Sequence, residues 1–396
     1  MPELIYRRGF ALKHEVAGEL TADYHSSLVQ RIKDADFCHR DGRLTVHLAR
    51  EFGFCYGVDR AVDYAYQARH RFPDQTVYLT GEIIHNPHVN RKLRSLGIRF
   101  LSDPGCTLEQ VGPSDVVILP AFGVTVTLLQ QLQGRGCTLV DTTCGSVLNV
   151  WKNVRQYARD GYTAIIHGKI RHEETQATAS QAIQHPGGRY LVVLDGAEAG
   201  EVCDYIRHST RRAAFLARFA GAASPGFDPD RDLRRIGLAN QTTMLMSESL
   251  EIAEMFRQAM RDRHGESALS TCFRAFETIC SATQDRQDAV VALLDAQALD
   301  LVIVVGGYNS SNTANLARLC AERRPTFHIA EAASLVSPGR IRHRPVGGHG
   351  ETESEPWLPA TGPVSVGITA GASTPDTIVG MVIERLAGFV NGGCPT

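Results

Sequence analysis

The sequence lacks an uninterrupted apolar run long enough to span a membrane, and its opening, MPELIYRRGFALKHEVAGEL, lacks the apolar core of a secretory signal. It also lacks a strong excess of either charge. The 41 lysine and arginine residues nearly balance the 43 aspartate and glutamate residues, which leaves a formal net charge of −2. These absences argue against a membrane protein and a nucleic-acid-binding protein. They predict a cytoplasmic protein whose 396 residues suffice for two or three domains.

Closely spaced cysteine pairs are also missing, although the chain has 10 cysteines. Structural zinc sites usually draw four ligands from such pairs, so a zinc ribbon is not predicted. Disulfides are not expected either, because cysteines spread over a chain of this size in a reducing compartment remain thiols. Any cysteine with a special role here is therefore expected to serve catalysis or another kind of metal site.

Apolar, strand-like runs alternate with amphipathic, helix-like stretches along most of the chain. Among the runs are TVYLTGEII, DVVILPAFG, YTAIIHGK, YLVVLDG, ALDLVIVVGG and VSVGITAGAS. Most of them end in glycine, histidine, serine or asparagine. The alternation predicts an α/β fold with parallel sheets, in which polar residues gather at the carboxyl ends of the strands.

A weak internal repeat places a cysteine before a predicted helix three times, in GFCYGVDRA, TTCGSVLNV and TICSATQDR. After each of these segments a strand ends in a polar turn. The cysteines are Cys55, Cys144 and Cys280, and the residues in the turns are His85, His172 and Asn309. Such a repeat predicts three similar α/β units whose thiols converge on a pseudo-threefold axis. The other cysteines share no context and are interpreted as core or surface thiols: Cys38, Cys106, Cys137, Cys203, Cys272, Cys320 and Cys394.

Each helix start offers free backbone N–H groups and a positive dipole end, which favour a thiolate. Taken alone, Cys55 also fits a small buried apolar residue. Three converging thiolates suit a cubane iron–sulfur cluster, which would then keep one iron open to substrate. Two other functions stay open from the residues: a cluster-bearing sensor or carrier without turnover, and a thiol or zinc enzyme with Cys55 as its nucleophile.

The ordered motifs of this chain resemble those of the LytB/IspH family of 4-hydroxy-3-methylbut-2-enyl diphosphate reductases. They are GFCYGVDRA, EIIHNPHV, DTTC, HGKIRHEETQATAS, NQTT, ICSATQDRQ, GGYNSSNTANLA and TAGASTPD. Each motif is weak alone, but together they run in order from about residue 51 to residue 386. The pieces EFGFCYGVDRA and PAFG resemble the longer branch of the family, found in cyanobacteria and plastids. Residues 1–48 resemble the N-terminal extension of that branch.

The resemblance implies three similar α/β domains in a pseudo-threefold cloverleaf around a central iron–sulfur cluster. On this interpretation an extension over 1–48 precedes the domains 49–143, 144–279 and 280–396. The second domain would contain an insertion at about 205–236, and the third a loop at about 340–362. Both stretches are rich in glycine, proline and charge, which predicts insertions or mobile loops.

The resemblance also implies the roles of particular residues. Cys55, Cys144 and Cys280 would ligate one [4Fe-4S] cluster whose fourth iron accepts the substrate oxygen. Glu174 would be the proton-donating acid, and Thr242 would position the substrate hydroxyl or a water beside it. Glu173 fits a solvated acid at a helix start, and it would point away from Glu174 if this stretch were extended.

Diphosphate recognition would use histidine, hydroxyl and amide donors. The substrate-binding residues implied by the resemblance are His85, His172, Thr242, Ser310, Ser311, Asn312 and Ser373. Singly, the histidines also fit ordinary strand-end residues, and NSSN also fits a turn or helix cap. The chain departs from the family pattern at two positions. Phe122 stands where short bacterial members have a phosphate-binding histidine, and Gly145 stands where a proline is usual.

The expected reaction is the reductive dehydroxylation of 4-hydroxy-3-methylbut-2-enyl diphosphate to isopentenyl diphosphate and dimethylallyl diphosphate. In the family this is the last step of the methylerythritol phosphate route to isoprenoids. A ferredoxin or flavodoxin is the expected electron donor, and neither nucleic acid nor membrane is an expected partner. A non-catalytic iron–sulfur sensor or carrier of the same fold is the alternative.

Overall fold

The computed structural model describes residues 5–276 and 278–392. Cys394 therefore lies outside the described residues. The chain forms two compact units. Unit 1 comprises residues 5–7 and 107–280, and unit 2 comprises residues 8–106 and 281–392. The predicted domain boundaries at 49, 144 and 280 stay predictions.

The strands, in chain order, are β1 (Ile5–Tyr6), β2 (Cys38–Asp41), β3 (Leu44–Leu48), β4 (Val77–Leu79), β5 (Arg99–Phe100), β6 (Val116–Leu119), β7 (Thr138–Asp141), β8 (Thr163–His167), β9 (Tyr190–Val193), β10 (Ile236–Asn240), β11 (Phe273–Ala275), β12 (Leu301–Val305), β13 (Thr326–Ile329), β14 (Ile341–His343), β15 (Thr352–Ser354) and β16 (Val364–Ala370).

The helices are α1 (Lys13–Tyr24), α2 (Ser27–Asp34), α3 (Tyr56–Arg71), α4 (Pro87–Ser95), α5 (Val126–Gly134), α6 (Gly145–Arg159), α7 (Glu173–Ala182), α8 (Gly196–His208), α9 (Arg212–Arg218), α10 (Pro229–Asp232), α11 (Met246–His264), α12 (Leu269–Cys272), α13 (Ser281–Ala296), α14 (Ser311–Ala321) and α15 (Asp376–Val390). Short 3-10 turns cover Leu108–Gln110, Glu266–Ala268 and Ala332–Ser334. In the part of the chain that the structure describes, no helix combines the length and the apolar character that crossing a membrane requires.

Unit 1 contains two sets of parallel strands. Strands β1, β7 and β6 pair side by side in that order. A four-stranded parallel sheet has the order β11-β10-β8-β9. Its two faces are covered by separate apolar clusters: Ile165 of β8 packs into one, and Ala164 and Ile166 pack into the other. A parallel sheet buried on both faces leaves its polar chemistry at the strand ends.

Unit 2 contains the five-stranded sheet β13-β12-β16-β3-β2, which is parallel except for the β2–β3 pair. Strand β12, with the sequence LVIVV, is buried along its whole length. Ile303 packs into one apolar cluster, and Val302 and Val304 pack into the other. The α/β class with parallel sheets that the alternation predicted is therefore confirmed. The unit also contains the parallel pair β4–β5 and the antiparallel pair β14–β15.

The two stretches rich in glycine, proline and charge are more ordered than their composition indicates. Residues 211–235 include the short helices α9 and α10, and Phe219 and Leu233 are buried in a core cluster of unit 1. Residues 340–362 contain the β14–β15 hairpin, and Trp357 is buried in a core cluster of unit 2. A few large apolar side chains are enough to pack these segments onto their units.

Candidate active site

The three cysteines of the sequence repeat each lie at the entrance to a helix. Cys55 is the N-cap residue of α3, Cys144 is the N-cap residue of α6, and Cys280 immediately precedes α13. All three side chains are partly exposed. Helix N-termini present N–H groups and a positive dipole end to these thiols, which suits thiolates and the metals that they bind.

Other cysteines of the chain have environments that oppose ionisation. Cys137, Cys203, Cys272 and Cys320 are buried. Burial raises the pKa of the Cys137 and Cys272 thiols, and it raises the pKa of Cys203 and of Cys320 to about 12. These four agree with their interpretation as core thiols.

One backbone hydrogen bond recurs at all three helix entrances. The N–H of Cys55 donates to the carbonyl of Ala372 (3.1 Å), that of Cys144 to Ala121 (2.8 Å), and that of Cys280 to Thr242 (3.3 Å). Each acceptor is the second residue after a parallel strand, namely β16, β6 or β10. Each of these strands pairs with the strand that precedes the cysteine in the chain. The equivalent positions that the sequence repeat predicted are confirmed, and the convergence of the thiols stays a prediction.

Arg286 holds the turn that leads to Cys55. Its guanidinium donates from Nη2 to the carbonyl of Gly53 (2.8 Å), and its side chain is buried. Gly53 has a φ of 79°, a conformation that favours glycine. The Nε of Arg286 has no hydrogen-bond partner among the described residues. The buried guanidinium brings a positive charge to this turn, which also lies beside the Asp376 carboxylate that pairs with Lys33.

In unit 1 the two residues of the predicted catalytic pair, Glu174 and Thr242, are hydrogen-bonded to each other. Glu174 is 3 % exposed and Thr242 is 5 % exposed. The carboxylate of Glu174 accepts from the Thr242 N–H (2.6 Å) and from its hydroxyl (3.1 Å). Glu173 is exposed. The stretch is helical from Glu173, not extended, and the rotation of the helix between neighbouring residues is what separates the two carboxylates.

His172 caps the helix that carries Glu174. Its Nδ1 accepts from the N–H of Glu174 at 3.2 Å. A nitrogen that accepts has no proton, so the neutral ring carries its proton on Nε2 and presents that atom as a donor. The ring of Phe122 packs edge-on against the His172 ring, with centroids 6.2 Å apart. Phe122 therefore contributes an apolar wall that orients the histidine.

Unit 2 places His85 in a small cavity of about 170 Å³, whose lining includes Gly307, Tyr308 and Asn309. His85 Nδ1 lies 2.9 Å from a carboxylate oxygen of Glu82. Since a carboxylate accepts, Nδ1 is a donor, and only the imidazolium form would donate from Nε2 as well. The Ser373 hydroxyl donates to the main-chain carbonyl of His85 (3.3 Å), which ties two predicted diphosphate ligands together.

The segment 310–312 forms the start of α14 in the same unit. Ser310 is its N-cap, and its hydroxyl accepts from the N–H of Thr313 (3.3 Å). Ser311 and Asn312 are each 2 % exposed. The Ser311 hydroxyl and the Asn312 Nδ2 have no hydrogen-bond partner among the described residues. Buried polar atoms without partners are rare and indicate a missing ligand or water.

The predicted residues thus fall into two sets, each assembled within its own unit. Unit 1 holds Cys144, His172, Glu174, Thr242 and Cys280, and unit 2 holds Cys55, His85, Ser310, Ser311, Asn312 and Ser373. Within each set the residues lie on loops after parallel strands or at helix starts. This placement is the one that the alternation of strands and helices predicted.

Sequence reasoning missed two supporting residues. Glu82 stands three residues before His85 in GEIIHN, and a carboxylate at that spacing was the available signal. Gln241 in NQTT is buried, and its Oε1 accepts from the N–H of Lys169 (3.1 Å) and the hydroxyl of Thr175 (3.1 Å). It thereby holds the loop that leads to His172, a contact that sequence alone does not indicate.

A family model described as LytB protein matches residues 46–387. The chain belongs to the LytB family. The resemblance of its motifs is confirmed over nearly the whole chain. Proteins described as 4-hydroxy-3-methylbut-2-enyl diphosphate reductase are similar to it. The one from Synechococcus sp. strain RCC307 is 49% identical over 391 residues, which cover 98% of this chain and 94% of that protein. The one from Gloeobacter violaceus is 50% identical over 388 residues, covering 96% and 91%.

Solved structures agree with this membership in the LytB family. A structure of (E)-4-hydroxy-3-methyl-but-2-enyl diphosphate reductase, the terminal enzyme of the non-mevalonate pathway, is 27% identical with a TM-score of 0.51, and the match covers 86% of this chain and 98% of that one. The E-1-hydroxy-2-methyl-but-2-enyl-4-diphosphate reductase from Plasmodium falciparum is 21% identical with a TM-score of 0.61, covering 86% and 87%. The second similarity is one of fold.

Proposed function

We propose that this LytB protein reduces 4-hydroxy-3-methylbut-2-enyl diphosphate to isopentenyl diphosphate and dimethylallyl diphosphate. The observation that carries the proposal is the buried contact between Glu174 and Thr242, whose carbonyl accepts the backbone N–H of Cys280. A buried acid that is linked through Thr242 to the thiol-bearing residue Cys280 is suited to deliver a proton beside a metal site. Replacement of the substrate hydroxyl by hydrogen takes two electrons and two protons and releases water.

The family is one of iron–sulfur enzymes, and we assign a single [4Fe-4S] cluster to Cys55, Cys144 and Cys280. These thiols fit the group because each is partly exposed at a helix entrance. The buried charge of Arg286 at the Cys55 turn also suits an anionic cluster. When bound, such a cluster supplies electrons and, at an iron without cysteine, a Lewis-acid position.

Hydrogen-bond donors with a defined orientation would bind the diphosphate. His172 presents Nε2–H, and Asn312 presents Nδ2 from a buried position without another partner in the described part of the chain. The Ser311 hydroxyl and the N–H groups at the start of α14 add neutral donors. Neutral donors and histidine bind a diphosphate without the permanent charge of arginine, which helps the product leave.

We assign the role of proton donor to the carboxyl group of Glu174. Thr242 fixes both carboxyl oxygens, one through its N–H and one through its hydroxyl. Burial of the pair excludes bulk water from the acid. We assign to Thr242 the task of positioning the substrate hydroxyl or a water at this carboxyl group, so that the proton reaches the leaving oxygen.

Electrons would come from a ferredoxin or flavodoxin. The direct test supplies them from a chemical reductant to anaerobically purified protein and follows substrate loss and the two products. The expected result is turnover of the substrate by a protein with a broad absorbance at about 400 nm. A protein with the chromophore but without turnover would instead be a sensor or carrier. A colourless protein that still turned the substrate over would rule out the cluster.

A further inference from the structure

Two stretches of the chain follow the same plan, one in each unit. GKIRHEET (168–175) follows β8, and GGYNSSNT (306–313) follows β12. In both, a glycine directly after the strand is followed four residues later by the N-cap of a helix, α7 or α14. Aligned in this way, Glu174 corresponds to Asn312.

The contacts of these two residues also correspond. Asn312 Oδ1 accepts from the N–H of Ala372 (2.9 Å), and the carbonyl of Ala372 accepts from the N–H of Cys55 (3.1 Å). Glu174 Oε1 accepts from the N–H of Thr242, and the carbonyl of Thr242 accepts from the N–H of Cys280. Ala372 and Thr242 are each the second residue after a parallel strand. In each unit, therefore, the backbone N–H and carbonyl of a single residue link a side chain at a helix start to a cysteine.

The orientation of the Asn312 amide follows from this contact. A backbone N–H only donates, so the atom that faces Ala372 must be the carbonyl oxygen. The Nδ2 group must then point the other way. It is buried and lacks a partner among the described residues. One side chain thus holds the Cys55 loop with its oxygen and offers a donor with its nitrogen.

We propose that Asn312 is a positioning residue for Cys55 and transmits phosphate binding to the Cys55 loop. This inference rests on the proposed function, because the phosphate bound at Nδ2 is taken to be that of the substrate. A phosphate that fixes the amide through Nδ2 also fixes the oxygen that holds Ala372, and through it the Cys55 N–H. Binding and loop order are then coupled, and the coupling acts in both directions.

The difference between the two corresponding residues fits their separate tasks. A carboxylate at position 312 would place a negative charge against a diphosphate. An amide at position 174 would have no acidic proton to give. Both side chains keep an oxygen toward the backbone N–H, which is the feature that the two units share.

The test compares Asn312→Asp, which keeps the accepting oxygen but loses the donor, with Asn312→Ala, which loses both. Hydrogen–deuterium exchange of peptides covering Cys55 and Ala372 is measured on the full chain, purified anaerobically. We expect exchange of these amides to rise about threefold to tenfold in Asn312→Ala and to stay near wild type in Asn312→Asp. Only Asn312→Ala removes the side-chain oxygen that accepts from the Ala372 N–H. Affinity for inorganic pyrophosphate should fall in both.

Ser311→Ala is the matched control, because it removes a neighbouring hydroxyl that bonds to no described residue. It should leave exchange at Cys55 unchanged. In wild type, pyrophosphate should slow exchange at Cys55, and in Asn312→Ala it should not. Equal exchange in wild type and Asn312→Ala, or faster exchange in Ser311→Ala alone, would overturn the positioning role. The exchange measurement needs no turnover, so a failure of the proposed reaction would show separately in the assay.

Discussion

At the scale of single residues, Glu174 and Glu173 provide a matched pair. They are adjacent, but only Glu174 is buried and bonded to Thr242. Glu174→Gln keeps an oxygen for the Thr242 N–H and loses the acidic proton. We expect it to keep iron content and pyrophosphate affinity but to reduce kcat by about 10²-fold or more, as for the loss of a general acid.

Glu173→Gln is the control for that experiment, and it should reduce kcat far less than Glu174→Gln, since Glu173 is exposed and Thr242 holds the carboxyl group of Glu174. Single-turnover measurements of both variants under anaerobic conditions separate the chemical step from binding. If Glu173→Gln were the slower enzyme, the acid would have to be assigned one residue earlier.

His328 gives a pH dependence that can be measured without substrate. Its Nε2 donates to the carbonyl of Gly306 (3.0 Å), the residue directly after β12. Burial lowers the pKa of His328 from 6.5 to about 4. The unfolded chain therefore binds the proton more readily than the folded chain. The stabilisation is present above about pH 6.5 and is lost as the pH falls toward 4.

From this shift we expect the free energy of unfolding to be about 2 kcal/mol smaller at pH 5 than at pH 7. Urea unfolding at the two pH values measures the difference. In His328→Gln the part due to this residue should disappear, because glutamine does not titrate. A variant with the same pH dependence as wild type would assign the effect to other groups.

At the scale of elements, the close approach of the loop after β16 to α14 depends on Gly371. A β-carbon at this position would overlap the Thr313 hydroxyl. We expect Gly371→Ala to push the loop 371–373 away from α14. Thermal unfolding should show a loss of about 1 to 3 kcal/mol, as for overpacking, and pyrophosphate affinity should fall because Ser373 moves.

Gly18→Ala is the control for this substitution. Gly18 lies within α1, and a β-carbon there would meet nothing. Alanine at an open helical position should raise stability by about 0.5 to 1 kcal/mol. Loss of stability in Gly18→Ala equal to that in Gly371→Ala would show that the overlap with Thr313 is not the cause.

The helices and strands also show which parts of the fold sequence patterns can predict. The run ALDLVIVVGG predicts a buried strand, and β12 spans Leu301–Val305, because a short apolar run that is rich in valine and isoleucine and ends in glycine is typical of a buried parallel strand. The cysteine-to-helix transitions at Cys55 and Cys144 are likewise readable from glycine and helix periodicity. The short helices in 211–235 are not, because a few buried phenylalanines, not periodicity, hold them.

Contacts between side chains are harder to predict from the sequence than helices and strands are. Glu173 and Glu174 are chemically identical, and only the rotation of α7 decides which one meets Thr242. The oxygen of Asn312 reaches Ala372 across 60 positions of the chain. Motifs therefore predict which residue types form the candidate site, while packing decides which atoms meet.

At the scale of the whole molecule, the three helix-entry cysteines come from both units of the chain. Cys55 belongs to unit 2, and Cys144 and Cys280 belong to unit 1. If all three bind one cluster, alanine at any of them should remove most of the iron, sulfide and 400-nm absorbance. The loss should be similar for the three variants, because three thiolates hold a cluster as a set.

Cys320→Ala is the control that distinguishes lost ligation from lost stability. Burial raises the pKa of Cys320 to about 12, so this thiol is a poor metal ligand and a part of the core. The variant should retain full iron and sulfide while its free energy of unfolding falls by about 1 kcal/mol, since a small buried group has been removed. Iron and sulfide assays on anaerobic protein, together with urea unfolding, give both quantities. Full metal content in Cys55→Ala, or its loss in Cys320→Ala, would contradict the assignment of the three ligands.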